Sequence, residues 1–442
     1  MNIQLSDHFT YKKLLRFTLP SMVMMVFTSI YGVVDGLFVS NFVGKTPFAA
    51  VNFIMPFLMM LGTVGFMFGT GGSALIAKTL GERKPEQANR QFSLLVYVSL
   101  GLGVVITILG LVFLRPLSAA LGAEGQLLED CVTYGRVIIL AVPAFILQME
   151  FQSFCITAEK PQLGLYMTIA SGVANMVLDF LFMAVFRWGL VGAAAATGIS
   201  QCIGGFVPLI YFARPNSSLL RLGKTAYHGK TLAQACLNGS SELMSNISMN
   251  LVSMLYNVQL MQYAGEDGVA AYGVLMYVNF VFLSIFIGYA IGTAPIISFH
   301  YGAQNHSELK NLLRKSFFLT AIGSACMLAL GLLLARPLAT VFVSYDPALF
   351  NMTVRGFHVF SFSFLFAGLA IFGSSFFTAL NNGLVSALIS FLRTLVFQIA
   401  AVMLLPLVWG LDGIWASVVV AELAAASLSL VFIAAKRKKY GY

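Results

Sequence analysis

Residues 188–192 read WGLVG, and 221 positions later residues 409–413 read WGLDG. The same offset places Arg115-Pro116-Leu117 on Arg336-Pro337-Leu338 without a gap. Gly44 falls on Gly265, Ala49-Ala50 on Ala270-Ala271, Gly71 on Gly292, Gly81 on Gly302, Gly135 on Gly356 and Ala158 on Ala379. Two tripeptides in register with these further matches mark an internal duplication.

Long apolar runs fill the space between the matched positions. They lie at about 14–40, 47–77, 92–114, 131–157, 163–186, 190–212, 233–263, 269–298, 315–335, 351–378, 384–408 and 413–435. Each is near or above the roughly 20 residues a helix needs to cross a bilayer. Six spans per repeat is an even number, so both halves share one orientation and are related by an axis along the membrane normal, with a cavity between them. The predicted fold is therefore an all-α polytopic membrane protein. Its twelve transmembrane helices form two six-helix bundles, residues 1–212 and 233–442, joined by a linker at 213–232.

Composition excludes the soluble classes. The chain is 59% hydrophobic and 10% charged, against about 25% charged in a typical soluble domain. No cleavable signal pattern precedes the first span. The net charge of +9 is distributed by side rather than clustered on a surface for nucleic acid. Lys12, Lys13 and Arg16, then Lys78, Arg83, Lys84 and Arg90, then Lys160, and the basic residues of 213–232, 310–315 and 436–439 share one side. The other side holds few, among them Arg115, Arg187 and Arg336. The excess of positive charge predicts a plasma-membrane protein with both termini and the linker cytoplasmic. A functional monomer in the lipid bilayer is expected. Five cysteines sit in or beside apolar runs and five histidines show no ligand spacing, so neither a disulfide framework nor a resident metal is predicted.

The polar exceptions carry the function. Within SGVANMVLDFLFM (171–183), Asn175 and Asp179 are spaced i, i+4 and share one face of the fifth span. A carboxylate in hydrocarbon costs several kcal/mol unless it faces water or a partner. The plain alternative, an acid that only bonds a neighbouring helix, carries less weight because an ionisable group inside a membrane is a functional candidate by default. Asp35 corresponds to Tyr256, Asn175 to Val396 and Asp179 to Ala400. At 1.5 Å per residue, Asp35 and Asp179 both lie roughly 10 Å below the outer ends of outward-running helices. Tyr134 and Thr197 reach a similar depth from the fourth and sixth spans. Two carboxylates in low dielectric do not both ionise readily. Such a pair suits exchange of a proton, or of Na⁺ with help from the Asn175 and Thr197 oxygens. A cationic substrate competing for the same charge would give antiport. No further cofactor is expected.

The stretches LPSMVMMVFTSIYGVVDGLFVS (19–40), GTGGSALIAKTLGE (69–82), ANMVLDFLF (174–182) and GTAPIISFHYGAQN (292–305) resemble the multidrug and toxic compound extrusion (MATE) family, and the resemblance covers essentially the whole chain. It implies export of cationic, amphipathic compounds driven by an inward H⁺ or Na⁺ gradient. It also implies a first-bundle cation site at Asp35, Tyr134, Asn175, Asp179 and Thr197, a proposed bending point at Pro20, and a polar position near Gln152. Some Na⁺-coupled members use acids in spans seven and ten. Here span ten has none and span seven only Glu242, which favours coupling through the first bundle.

Further polar residues are substrate or cavity candidates. Glu242, Asn246, Asn250 and Asn257 form a stripe on span seven, read as facing the cavity. Gln148 and Glu150 in span four are read as candidates for its inner half. Arg393 and Glu422 read as a structural pair, and Arg136 and Arg355 as snorkelling at the boundary. Gly69 to Ser73 lacks the preceding strand a phosphate loop needs and reads as close helix packing. The 20 Met and 39 Phe suit adaptable walls. A lipid-linked oligosaccharide flippase is the alternative, but it would call for central Arg or Lys residues, and acids predominate. An intramembrane enzyme would need a metal-binding acid cluster, which is absent. The predicted function is a non-enzymatic secondary active multidrug exporter working by alternating access.

Overall fold

Without water to bond to, a backbone in lipid must satisfy its own N–H and C=O groups, and the apolar runs accordingly become helices. The computed structural model describes residues 2–442, with Lys45 through its backbone alone. The first six spans are α1 (Tyr11–Phe42), α2 (Lys45–Gly81), α3 (Pro85–Ala120), the pair α4 (Gly125–Leu140) and α5 (Val142–Thr157), α6 (Pro161–Asp179) with a π-helical extension (Phe180–Val185), and α7 (Leu190–Ala213).

The next element, α8 (Gly229–Gly302), is a single run of 74 residues, which would extend about 110 Å if straight. It breaks at Gly265, whose φ of 66° and ψ of −151° are open only to glycine. Gly265 is the repeat counterpart of Gly44, which joins α1 to α2 at a φ of 122°. Thus α8 holds spans seven and eight. There follow α9 (His306–Val343), α10 (Pro347–Phe360) with α11 (Phe364–Ala379), α12 (Gly383–Phe391) continuing through a π-helical turn into α13 (Phe397–Leu404) and α14 (Pro406–Trp409), and α15 (Leu411–Tyr440). Among the described residues, ten helices qualify as spans by length and composition; the α4–α5 pair, bent by 56°, and the second arm of α8 make twelve. Helix α1 continues unbroken through Pro20. The linker is shorter than read, 214–228, because the His228 ring accepts the Thr231 amide and starts α8 early.

The repeat is visible in space. A β-carbon on Gly81 would strike the Phe299 carbonyl, and one on Gly302 would strike the Lys78 carbonyl. Phe299 and Lys78 are themselves 221 apart, so the two contacts are one contact seen twice across a pseudo-two-fold axis. Likewise Gly71 abuts Gly239, and Gly292 abuts Thr18.

These crossings close the end of the molecule that bears the termini. There, buried clusters mix the halves: Phe17 packs in a core with Ile296, Leu312 and Phe376, and Phe92 in one with Ala235. Toward the opposite end each half keeps its own core, one around Ile54, Tyr134 and Ile139, the other around Tyr256, Phe357 and Trp415. Among the described residues, every side-chain hydrogen bond between the bundles lies in the closed half. Beyond it, among the described residues, the bundles share neither a buried cluster nor a side-chain hydrogen bond.

A strap formed by residues 4–9 reinforces the closed end. Leu5 and Phe9 are fully buried. The Leu5 amide donates to Glu159 Oε1 at 2.7 Å. The Phe9 amide donates to Glu308 Oε1 at 3.0 Å, His8 Nδ1 lies 2.7 Å from Glu308 Oε2, and Lys315 Nζ donates to the Phe9 carbonyl at 2.8 Å. The strap begins the amino-terminal half yet is held largely by the other.

Candidate functional site

The sequence places Asp35, Asn175, Asp179, Tyr134 and Thr197 at one depth, and the structure brings them together. Helix α1 packs along α6 where Gly172 admits the rings of Phe27 and Tyr31. Fourteen residues beyond Ser21, which bonds the Gly288 carbonyl across the seam at 2.8 Å, Asp35 returns to within about 40° of that direction. Asp35 thus lies on the seam-facing half of α1, with its carboxyl next to that of Asp179. The two carboxyl groups stand side by side. Asp179 is 0% exposed, Tyr134 1% and Asn175 2%. Asn175 Nδ2 makes a long 3.4 Å contact with Thr197 Oγ1, and the Tyr134 hydroxyl is directed toward Thr197 and both acids.

What distinguishes the cluster is its lack of partners. Asp35 Oδ1, both Asp179 oxygens, Asn175 Oδ1 and the Tyr134 hydroxyl have no protein hydrogen bond. No ion pair among the described residues includes either aspartate. Buried polar atoms are ordinarily satisfied, so five orphans in one place make this cluster the candidate site. An oxygen-only set of this kind suits a proton or a hard cation. Directly after Asp179 the helix widens into the π-helical turn, where the Phe186 amide reaches back to the Leu181 carbonyl at 2.8 Å. Such turns recur at functional sites.

Two residues not singled out in the sequence adjoin the site. Tyr31, one turn before Asp35, lies close to its carboxyl. Gln201, one turn beyond Thr197, also keeps an unpartnered oxygen. Spacing of i, i+4 from a site residue was the available signal for both.

Three candidates fall elsewhere. Gln148 donates to Ser171 at 3.1 Å, and Glu150 accepts from Ser99 at 3.0 Å while 0% exposed. Gln152 and Gln148 line a small cavity enclosed by α5, α6 and α7. All three are buried within the amino-terminal bundle, where Gln148 and one Glu150 oxygen have partners while Glu150 Oε2 and Gln152 Nε2 have none. On α8, Asn246 Nδ2 donates to the Glu242 carbonyl at 2.8 Å and Asn250 Nδ2 to the Asn246 carbonyl at 3.2 Å, while Asn257 is exposed.

The second half holds no equivalent of the acid pair. Tyr256, where Asp35 would be, donates to Gln398 at 2.7 Å and stacks on Tyr272. Arg393 meets Glu422 through two bonds of 2.9 and 3.0 Å, with Glu242 nearby. Arg355 does not snorkel alone: it grips Asp412 at 2.6 and 2.9 Å. Among the described residues, no group of three His, Cys, Asp or Glu is placed to hold a metal.

Two parallel six-helix bundles that share a core at one end, keep separate cores at the other and hold an unpaired intramembrane acid pair have the architecture of a two-repeat membrane transporter. The MatE family model matches twice, at residues 20–181 and 243–404. The chain belongs to the multidrug and toxic compound extrusion family. Among its relatives, a multidrug export protein MepA of Staphylococcus haemolyticus is 25% identical over 431 residues, covering 97% of this chain and 94% of that one. Its counterpart from Staphylococcus aureus strain MRSA252 is 25% identical over 427 residues, covering 96% and 93%. The fold resembles the outward-facing conformation of a multidrug resistance MATE transporter with a TM-score of 0.94 at 22% identity, covering 100% of this chain and 98% of that one. It also resembles a MOP superfamily transporter of Pyrococcus furiosus, with a TM-score of 0.91 at 22% identity and coverage of 98% of both chains.

Proposed function

We propose that this protein exports cationic, amphipathic compounds from the cytoplasm by antiport with H⁺ or Na⁺, working by alternating access with both termini cytoplasmic. The observation that carries this reading is the Asp35–Asp179 pair: adjacent carboxyls without a cation or a full set of hydrogen bonds. A proton or Na⁺ supplies the compensation the protein withholds. With the terminus-bearing end inside, the structure is outward-facing, the state in which an ion arriving from outside reaches Asp35. Ion binding then lowers the negative charge that holds a cationic substrate and favours its release.

The multidrug export named for the Staphylococcus relatives agrees with this reading. A pyrophosphate-carrying lipid would need free cations in the gap, and Arg393 is already committed to Glu422. The test is dye efflux from proteoliposomes with pH and Na⁺ gradients imposed separately. Asp35→Asn and Asp179→Asn are expected to abolish gradient-driven efflux while inserting normally. Full activity in both variants would remove the pair from the mechanism.

A further inference from the structure

The second-half wall of the gap carries a feature the coupling site does not use. Gly239 of α8 touches Met67 and Gly71 of α2 across the closed seam. Its direction is therefore the direction of the opposite bundle. At 100° per residue, Asn246 and Asn250 project within about 20° of it, and Asn257, eighteen residues on, returns to the same direction. Along this face Asn246 and Asn250 are half-buried and Asn257 is exposed. On the facing wall, the α2 residues in line with Gly71 are Met67, Val64, Met60, Phe57 and Phe53, an apolar surface of which Met60 is 39% exposed.

The amides are not free to turn. A backbone carbonyl accepts only, so Asn246 and Asn250 each spend one N–H of the NH₂ group on the carbonyls of Glu242 and Asn246, at 2.8 and 3.2 Å. Their Oδ1 atoms accept no hydrogen bond from the protein, and each NH₂ keeps one further donor. Asn257 extends the row to a shallow, open hollow on the surface of α8 that it forms with Val258, Met261, Gln262 and Val269. One wall thus offers hydrogen-bond acceptors over roughly 16 Å of helix, and the other a methionine and phenylalanine surface that adapts to varied shapes.

We propose that Asn246, Asn250 and Asn257 form an acceptor rail that binds cations bearing N–H donors, such as protonated amines, amidines and guanidines, with their apolar bodies against Met60 and Phe57. This rests on the exporter reading and narrows its substrate class. Cations without N–H groups bind the same gap through charge and apolar contact alone, and the rail does not distinguish them.

The test is equilibrium binding to the full-length protein in detergent, using an aromatic diamidine and tetraphenylphosphonium, which has no donor. The double variant N246L/N250L is expected to weaken diamidine binding about tenfold, the size of one lost hydrogen bond to a charged group, and to leave tetraphenylphosphonium within about twofold. The milder N246A and N250A single variants must rank the two ligands the same way, which guards against a folding defect in the double variant. Equal losses for both ligands, or no loss for the diamidine, overturn the rail. Separately, wild-type protein that binds both cations but exports neither would overturn the exporter reading and leave the rail standing.

Discussion

Replacing Glu308 with alanine should release the closed end. Glu308 sits in the first turn of α9 and holds the strap through the Phe9 amide at 3.0 Å and His8 at 2.7 Å, with Asn311 adding a bond at 3.0 Å. Its side chain is 6% exposed, whereas His8 is 67% exposed. We therefore discount the His8 contact as a solvent-screened pair, leave out the Asn311 bond because it lies within α9, and count chiefly the Phe9 amide. One neutral donor to a carboxylate contributes about 1.5–3 kcal/mol, which shifts a closed-to-open equilibrium by roughly 10-fold to more than 100-fold. If about 1% of wild-type molecules are open at this end, the smaller figure already brings about a tenth of the variant there. Positions 83 and 304, exposed repeat counterparts beside the α2–α8 crossing, suit paired spin labels in a background without the five cysteines. A long-distance component should appear in the variant. The pH dependence follows from the same contacts. Burial pushes the Glu308 carboxyl up, but the bonds from Phe9, His8 and Asn311 outweigh it and hold the group below its ordinary value of 4.5. A depressed value means the latch is fully made at neutral pH and is lost only as pH falls through the lowered value. An unchanged distance distribution both in Glu308→Ala at neutral pH and in protein retaining Glu308 in acid would refute the strap as a latch.

Two further substitutions test the architecture. Gly302→Leu places a side chain against the Lys78 backbone, which cannot yield as a flexible side chain would; the same labels should report a wedged-open end, and export should fall at least tenfold. Arg393→Met leaves Glu422 buried without its partner, at a cost of about 3–5 kcal/mol, read as a lower melting temperature in detergent. The paired replacement Arg393→Met with Glu422→Leu should recover more than half of that loss.

The duplication, the twelve spans and the acid pair were legible because each depends on quantities a sequence contains: period, length, and charge in an apolar run. Gly44 and Gly265 show the same economy, since the turn they make is visible as matched glycines before any coordinate is known. Orientation about a helix axis was not legible in the same way. The bend of 56° between α4 and α5 re-aims every residue after Ala141, and Gln148, Glu150 and Gln152 lie buried within their own bundle. The strap escaped notice because residues 4–9 are too few to show a period, and their energy lies in contacts with Glu159, Glu308 and Lys315, far away in sequence. The π-helical turn after Asp179 has no sequence signal at all that spacing could read.

The most consequential difference between the halves is where charge is neutralised. In the second, Arg393 meets Glu422, Arg355 meets Asp412, and Tyr256 finds Gln398, so the polar groups satisfy one another. In the first, two carboxyls of the same depth are left with one another. A two-fold scaffold can rock symmetrically about the α2–α8 crossing, but an ion can bias that motion only where it binds the two end states unequally. A half that satisfies itself gives an ion nothing to compensate in either state. The half with orphaned oxygens does, provided that rocking changes which side of the membrane those oxygens can reach. On the proposed reading, the duplication supplies the moving parts, and the loss of symmetry at Asp35 and Asp179 supplies the direction in which they are driven.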